Sequence, residues 1–185
     1  MEKGLTVRKI VIAGVLGAVA ILLGVTRLGF IPVPTAAGNA TIMHVPAVIG
    51  GIVQGPVVGL IIGLIFGVSS FLNATIPLFK DPLVAILPRL FIGVTAYLTY
   101  AGFKRVSEFA AIGVAGFVGS ITNTILVLTM AVIRGYLAPG VAVTVAVTNG
   151  LPEAVVSVIV TLAVVVSWKK LGNAGKKKSK ISGDF

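Results

Sequence analysis

The sequence predicts an all-α integral membrane protein, in which six transmembrane helices form a compact bundle with both termini in the cytoplasm. Of its 185 residues, 57% are hydrophobic and only 11% are charged, whereas an ordinary soluble domain carries about 25% charged residues. A bilayer span needs roughly 20 mostly apolar residues, so a chain of this length holds about six spans with short loops. Cysteine is absent and His44 is the only histidine, which excludes disulfides, thiolate metal sites and multi-histidine metal sites.

Proline and glycine separate the apolar runs of the first half. We predict the first span over about residues 8–28, ending before Pro32, because proline cannot continue a helix. After a loop of small and polar residues, two spans over about 40–54 and 57–72 flank the tight break at Gly55-Pro56. Spans two and three are therefore expected to form a close helical hairpin.

The second half contains three longer apolar runs. The fourth span is predicted over about residues 83–103 and is interrupted by Pro88-Arg89, and the fifth over about 109–133. Residues 134–147 contain Pro139-Gly140 and are expected to form a sizeable loop. The sixth span follows over about 148–168.

Positive charge marks one side of the membrane. Eleven of the fifteen basic residues lie at the start of the chain, at Lys104-Arg105 or after Trp168. Cytoplasmic flanks carry such an excess, so we expect N-in, C-in topology with the three larger loops facing outward. Residues 1–170 are predicted as a single membrane domain, and residues 171–185 as a basic, disordered cytoplasmic tail near anionic lipid headgroups. Nucleic acid is not an expected partner.

Small residues allow close helix packing at two places. Gly59, Gly63 and Gly67 form a continuous small face in the hairpin, which we attribute to packing inside the bundle. Near the cytoplasmic end of the first span, two overlapping small-x3-small spacings give a flat face that suits either internal packing or the helix of a partner protein. The residues of this second face are Ala13, Gly14, Gly17 and Ala18.

Polar side chains inside the spans are the candidate functional residues, because each is costly in hydrocarbon and needs a partner or a function. Arg89 offers a planar fork of donors for an anionic or carbonyl-bearing ligand, or else pairs structurally with Glu153. Asn123 and Asn149 carry amides that suit hydroxyl or amide groups of a ligand, with hydrogen bonding between helices as the alternative for Asn123. His44 is either a ligand contact or a packing residue.

The residue inventory indicates binding rather than catalysis. The chain has five acidic residues in all and lacks the G-x-x-x-x-G-K-[ST] loop that holds nucleotide phosphates. We therefore expect neither an enzyme, a cofactor nor a metal site. We expect instead a small-molecule pocket below the outward loops, lined by the convergent polar groups of Arg89, Asn123, Asn149 and Glu153, with His44 as a further candidate. Such a chain cannot hydrolyse ATP by itself.

Four segments, in order, resemble a known family. They are TIMHVPAVIGGIVQGPVVG at residues 41–59, LPRLFIG at 87–93, GSITNT at 119–124 and NGLPE at 149–153. The sequence is similar to the substrate-binding S components of energy-coupling factor (ECF) vitamin transporters. The resemblance extends over almost the whole membrane region.

The resemblance implies a six-helix bundle in a prokaryotic plasma membrane that captures a vitamin from outside. It implies partners as well: a membrane scaffold subunit and two cytoplasmic ATPases, with uptake driven by ATP as the loaded S component topples in the membrane. In the family an Ala-x3-Ala face of the first helix docks on the scaffold, which here corresponds to Ala13-x3-Gly17 or Gly14-x3-Ala18. The segments are most similar to the pantothenate-type branch, with riboflavin or folate as other possibilities.

Two other functions fit the residues. A self-contained secondary transporter would use Glu153, the one acidic residue expected inside a span, for proton coupling, although no internal repeat is evident. A non-transporting membrane interaction protein would use the polar residues only for packing. The absence of aromatic residues that would stack a flavin or pterin in the outer half favours a small, acidic substrate without aromatic rings.

Overall fold

The computed structural model describes residues 6–31 and 40–181, with the side chains of 31 and 172–181 outside the description. In chain order its elements are α1 (Val7–Val25), β1 (Phe30–Ile31), β2 (Ala40–Thr41), α2 (Val45–Gln54), α3 (Pro56–Leu72), a 3₁₀ turn (Pro77–Lys80), α4 (Pro82–Ala85), α5 (Leu87–Phe103), α6 (Glu108–Ile133), α7 (Pro139–Thr148) and α8 (Gly150–Ile181). The chain is thus mostly helical, as predicted.

The six predicted apolar segments correspond to α1, α2, α3, α4 with α5, α6 and α8. Four helical segments of the described chain are long and apolar enough to cross a membrane: Val7–Val25, Pro82–Phe103, Glu108–Ile133 and Pro139–Leu171. The two hairpin helices are shorter, with ten residues in α2 and 17 in α3. The fourth span is interrupted at Ile86, between α4 and α5, whereas the predicted position, Pro88-Arg89, lies in the first turn of α5.

Three features differ from the expectations. Helix α7 occupies most of the segment that we expected to be a loop, since Pro139 stands at its first turn, where proline has no hydrogen bond to lose. Helix α8 continues to Ile181, eleven residues into the segment expected to be disordered. The last part of the expected tail, residues 182–185, lies outside the described residues. The short antiparallel pairing of β1 with β2 was not predicted.

Glycines bring α2, α3 and α5 into backbone contact. A Cβ atom added to Gly51 would lie 2.2 Å from the carbonyl oxygen of Gly93, and one added to Gly93 would lie 2.4 Å from the Cα of Gly59. A Cβ on Gly63 would lie 2.2 Å from the carbonyl oxygen of Arg89. The predicted small face of the hairpin therefore packs against α5, and it fixes the backbone that carries Arg89.

A polar cluster joins α5, α6 and α8 at the end of the bundle where the α2–α3 and α5–α6 connections lie, which we call the Gly55 end. The Tyr100 hydroxyl donates to Glu108 Oε1 over 3.1 Å. Lys169 Nζ donates both to Glu108 Oε1 and to the Tyr100 hydroxyl. Each of the three side chains thus has a charged or polar partner.

Candidate binding site

Four of the five candidate site residues lie at a similar depth in the bundle. Counted from the Gly55 end at 1.5 Å per residue, His44, which directly precedes α2, lies about 16 Å deep, Arg89 on α5 about 21 Å and Asn123 on α6 about 22 Å. Glu153 on α8 lies about 24 Å from Lys169 by the same measure. Because α2 has only ten residues, it spans about half of the roughly 30 Å hydrocarbon layer, and β2 therefore enters the bundle to reach it.

All five candidates are buried. Their exposed fractions lie between 0% for His44 and 8% for Glu153, with Arg89, Asn123 and Asn149 in between. Asn149 caps the C-terminus of α7, and its Oδ1 accepts a hydrogen bond from the Thr148 hydroxyl over 3.1 Å. The fold thus brings polar side chains from separate helices into the interior, where burial without partners would be costly.

Arg89 is held by contacts that leave part of its guanidinium unused. Its Nη1 donates to the carbonyl oxygen of Val84. Its Cζ lies 4.9 Å from the ring centroid of Phe79 and 5.6 Å from that of Phe66. The buried Nε has no hydrogen-bond partner within the part of the chain that the structure describes. The charged side chain is therefore held in place, and its Nε–H remains a hydrogen-bond donor without an acceptor among the described residues.

Glu153 binds the backbone of β2 and not Arg89. Its Oε1 accepts a hydrogen bond of 2.7 Å from the backbone N–H of Thr41. Arg89 and Glu153 lie within electrostatic range of each other, but among the described residues they form no salt bridge. The purely structural interpretation, in which the two side chains neutralise each other in direct contact, is therefore wrong for this conformation.

Several buried polar atoms have no hydrogen-bond partner among the residues of 6–31 and 40–181 whose side chains are described. These atoms are His44 Nδ1 and Nε2, Arg89 Nε, Ser120 Oγ, Asn123 Oδ1 and Thr161 Oγ1. A buried polar group without a partner costs about 1–3 kcal/mol, so such groups are few in native proteins and each needs an explanation. For His44, Arg89 and Asn123, a bound molecule with acceptor and donor groups is one such explanation.

The unpartnered atoms define the chemistry of that molecule. Arg89 Nε–H is a charge-assisted donor that suits a carboxylate or carbonyl oxygen, and Asn123 Oδ1 is an acceptor that suits a hydroxyl or amide N–H. His44 in its neutral form supplies one donor and one acceptor. Together they suit a small, anionic and strongly hydrogen-bonding ligand. No group of three or more metal-ligating side chains occurs among the described residues.

The aromatic contacts of Arg89 were not predicted from the sequence. Phe66 and Phe79 flank Arg89, although no aromatic cluster was expected in this half of the bundle. Phe66 lies within the apolar α3 and Phe79 in a short turn, so neither position carries a pattern that predicts the contact. Ser120 had such a signal, because it lies three residues before Asn123 and therefore on the same face of α6.

The predicted docking face is divided by the structure. Ala13 and Gly17 are buried on α1, and a Cβ on Gly17 would lie 2.7 Å from Ile65 of α3. These two residues pack inside the protein, against α3, and their docking on a partner stays a prediction. Gly14 and Ala18 are exposed, and a Cβ on Gly14 would meet no heavy atom within 4 Å.

Comparisons with known proteins agree with this architecture. The model of the family described as ECF transporter, substrate-specific component, matches residues 8–165. The pantothenic acid transporter PanT of Lactococcus lactis subsp. cremoris (strain MG1363) is 32% identical over 159 residues, which cover 72% of this chain and 79% of the relative. A solved structure of the S component of a bacterial ECF transporter superposes with a TM-score of 0.63 at 20% identity, covering 91% of this chain and 98% of that chain. The chain belongs to the substrate-specific S components of ECF transporters.

Proposed function

We propose that this S component captures pantothenate from the outer face of a prokaryotic plasma membrane for ATP-driven uptake. The observation that carries the proposal is that His44 before α2, Arg89 on α5 and Asn123 on α6 are buried at similar depth and carry donors or acceptors without partners among the described residues. Such an arrangement has little structural value by itself, because unpartnered polar groups destabilise an empty interior. It becomes favourable when a ligand supplies the missing hydrogen bonds.

Pantothenate matches the unpartnered groups by chemistry. Its carboxylate suits the free Nε–H of Arg89, and its hydroxyl and amide groups suit Asn123 and His44. Riboflavin and folate, the other vitamins that the resemblance allows, carry large ring systems that need a stacking surface. The aromatic faces beside the site, those of Phe66 and Phe79, lie against the Arg89 guanidinium. The similarity to PanT favours the same choice.

The basic residues support an orientation with both termini in the cytoplasm. The directions of the helices bring the start of α1, the Lys104-Arg105 connection and Lys169-Lys170 of α8 to the Gly55 end. An excess of Lys and Arg is typical of the cytoplasmic side. The substrate would then enter from the opposite end, past β2 and the 3₁₀ turn, and reach the cytoplasm after the bundle topples.

The exposed small face of α1, formed by Gly14 and Ala18, is proposed to dock on the membrane scaffold that carries the two ATPases. Gly14→Leu should leave ligand binding intact and prevent copurification of the scaffold, because a bulky side chain holds two helix backbones apart. Gly102→Leu is the matched control, since Gly102 on α5 is equally open. Normal copurification with Gly14→Leu would place the docking face elsewhere.

The decisive experiment is a thermal-shift screen of the purified protein against pantothenate, riboflavin, folate, biotin, thiamine and lipoate. A ligand that binds only the folded state stabilises it by about 2.7 kcal/mol at a hundredfold excess over Kd. A saturable shift with pantothenate alone is the expected result. A shift with another vitamin would show that the substrate is that vitamin and not pantothenate. If the folded protein shows no shift with any of them, the proposal is wrong.

Transport without partners is tested separately. Proteoliposomes that hold this chain alone should not accumulate pantothenate with or without a pH gradient, whereas proteoliposomes with the scaffold and ATPases should do so when ATP is supplied. Uptake driven by a pH gradient and abolished by Glu153→Gln would identify a secondary transporter instead. The bond from Thr41 N–H to Glu153 gives this carboxylate a structural role in the present conformation.

A further inference from the structure

We infer that Phe79 is a positioning residue for Arg89, and that the ion pair between Asp81 and Arg134 holds Phe79 in that position. The inference rests on the proposed function, in which Arg89 binds the substrate carboxylate. It adds a set of residues outside the polar site, on the 3₁₀ turn and at the end of α6, that determine how well the site recognises a carboxylate.

The two aromatic neighbours of Arg89 differ in how firmly they are held. Phe66 lies within α3 and is 2% exposed, so packing on all sides fixes its ring. Phe79 is only partly buried and lies in a 3₁₀ turn of four residues, yet its ring centroid is nearer to the guanidinium, at 4.9 Å against 5.6 Å. The contact between Phe79 and Arg89 therefore depends on the interactions that hold the 3₁₀ turn in place.

Asp81 supplies that restraint, two residues after Phe79. Its Oδ1 accepts the backbone N–H of Leu83 over 3.0 Å, which caps α4. Its Oδ2 accepts a hydrogen bond of 2.6 Å from Nε of Arg134, which lies 53 residues later in the sequence. The bond from Arg134 lowers the pKa of the Asp81 carboxyl, and the same contact raises the pKa of Arg134. The turn is thus attached both to α4 and to the end of α6 by a charged pair.

Phe79 affects the orientation of the Arg89 guanidinium and not its charge. A carboxylate binds a guanidinium best in the plane of the fork, through two parallel N–H donors. The Val84 carbonyl accepts from Nη1, and the Phe79 ring, whose centroid lies 4.9 Å from Cζ, limits the movement of the guanidinium. The Nε–H without a partner therefore keeps one direction. Without Phe79 the charge of Arg89 remains, but its donors lose that fixed direction. Recognition of a carboxylate should suffer more than binding of the rest of the ligand.

The first test needs no ligand. In a Trp168→Phe background, Phe79→Trp places a single tryptophan in the turn, and acrylamide quenching measures its exposure to water. Adding Arg134→Gln should increase the quenching constant roughly two-fold or more, because the turn is no longer attached. Arg27→Gln is the matched control, since Arg27 is an exposed arginine in the loop after α1, and it should leave the quenching constant unchanged. An unchanged quenching constant in Arg134→Gln overturns the inference.

The second test uses pantothenate and its neutral alcohol analogue, pantothenol, and compares their Kd values. Wild-type protein should prefer the carboxylate, and both Phe79→Leu and Arg134→Gln should reduce that preference roughly three- to tenfold, the range of a cation–π contact. Phe79→Tyr keeps an aromatic face and should keep the preference. An unchanged preference in Phe79→Leu overturns the positioning role. If wild-type protein binds neither compound, the proposed substrate fails, and the quenching test alone decides whether Arg134 holds residue 79.

Discussion

The two polar clusters of the bundle differ in how their groups are satisfied. At the Gly55 end, Tyr100, Glu108 and Lys169 bond to one another, and the charged side chains of Glu108 and Lys169 lie partly open to the surroundings. Halfway through the bundle, His44 and Arg89 are almost fully buried and have nitrogen atoms without partners among the described residues. Polar residues in apolar helices are thus of two kinds, and the presence or absence of hydrogen-bond partners separates them.

Exposure explains why the two clusters carry different consequences. An ion pair that reaches the surface contributes about 0–1 kcal/mol, since water and salt compete with it. A buried donor or acceptor without a partner instead costs about 1–3 kcal/mol. The cluster at the Gly55 end therefore joins helices with little gain in stability. The unpartnered groups of the buried cluster are instead a cost, which the proposed ligand would offset by supplying the missing hydrogen bonds.

The buried cluster depends on the close contact of α2 with α5, and breaking that contact at a glycine should have the largest effect of the changes considered. Gly51→Val should prevent folding, because even its Cβ would lie 2.2 Å from the Gly93 carbonyl oxygen and backbone cannot move aside as a side chain can. Size-exclusion chromatography and circular dichroism in detergent measure the outcome. Gly14→Val is the control, since space is open there. A folded Gly51→Val protein would show that α2 and α5 separate easily.

Arg89→Ala tests the buried cluster directly. Affinity for pantothenate should fall by about 1.5–3 kcal/mol, the value of a hydrogen bond to a charged group, which corresponds to roughly 10- to 150-fold in Kd. The thermal stability of the empty protein should not fall, because the change removes a buried charge with an unpartnered Nε. Isothermal titration calorimetry measures the first quantity and a melting curve the second. Unchanged affinity in folded protein would remove Arg89 from the site.

The candidate residues stand out in the sequence because they break a simple pattern, and the structure shows that they are buried. Arg89, Asn123 and Glu153 are polar side chains within long apolar runs, so the cost of burying them is enough to indicate a function. The same argument does not find their partners. The bond from Thr41 to Glu153 joins residues 112 apart, and only the closed bundle decides that β2 reaches α8.

The docking face and α7 show where sequence patterns are ambiguous. Small residues at positions 13, 14, 17 and 18 lie on two adjacent faces of one helix, and composition alone does not decide which face packs on α3. Pro139-Gly140 is typical of a turn, but proline also suits the first turn of a helix, and the apolar residues that follow continue as α7. In both cases neighbouring helices, and not local preference, select the outcome.

Glu108→Gln tests the cluster at the Gly55 end. The free energy of unfolding should fall by less than about 1 kcal/mol, the value of an exposed ion pair, because Lys169 and Tyr100 can bond to water instead. Pantothenate affinity should not change, since the cluster lies about 20 Å from the buried site along the helices. Melting curves and calorimetry measure the two quantities. A large loss of affinity would mean that the two clusters are coupled through α6.

The smallest expected effect is that of pH on the Asp81–Arg134 pair. Arg134 holds the pKa of Asp81 below its usual value, which for aspartate is about 4. A carboxyl whose pKa is lowered by folding stabilises the folded form above its unfolded pKa, and this contribution is lost as the pH falls through the folded pKa. Acrylamide quenching of the tryptophan in Phe79→Trp should therefore stay constant between about pH 8 and 5 and rise only below about pH 4. Asp81→Asn should show the higher quenching at every pH. A transition near neutral pH, where Asp81 does not titrate, would assign the movement of the turn to another group.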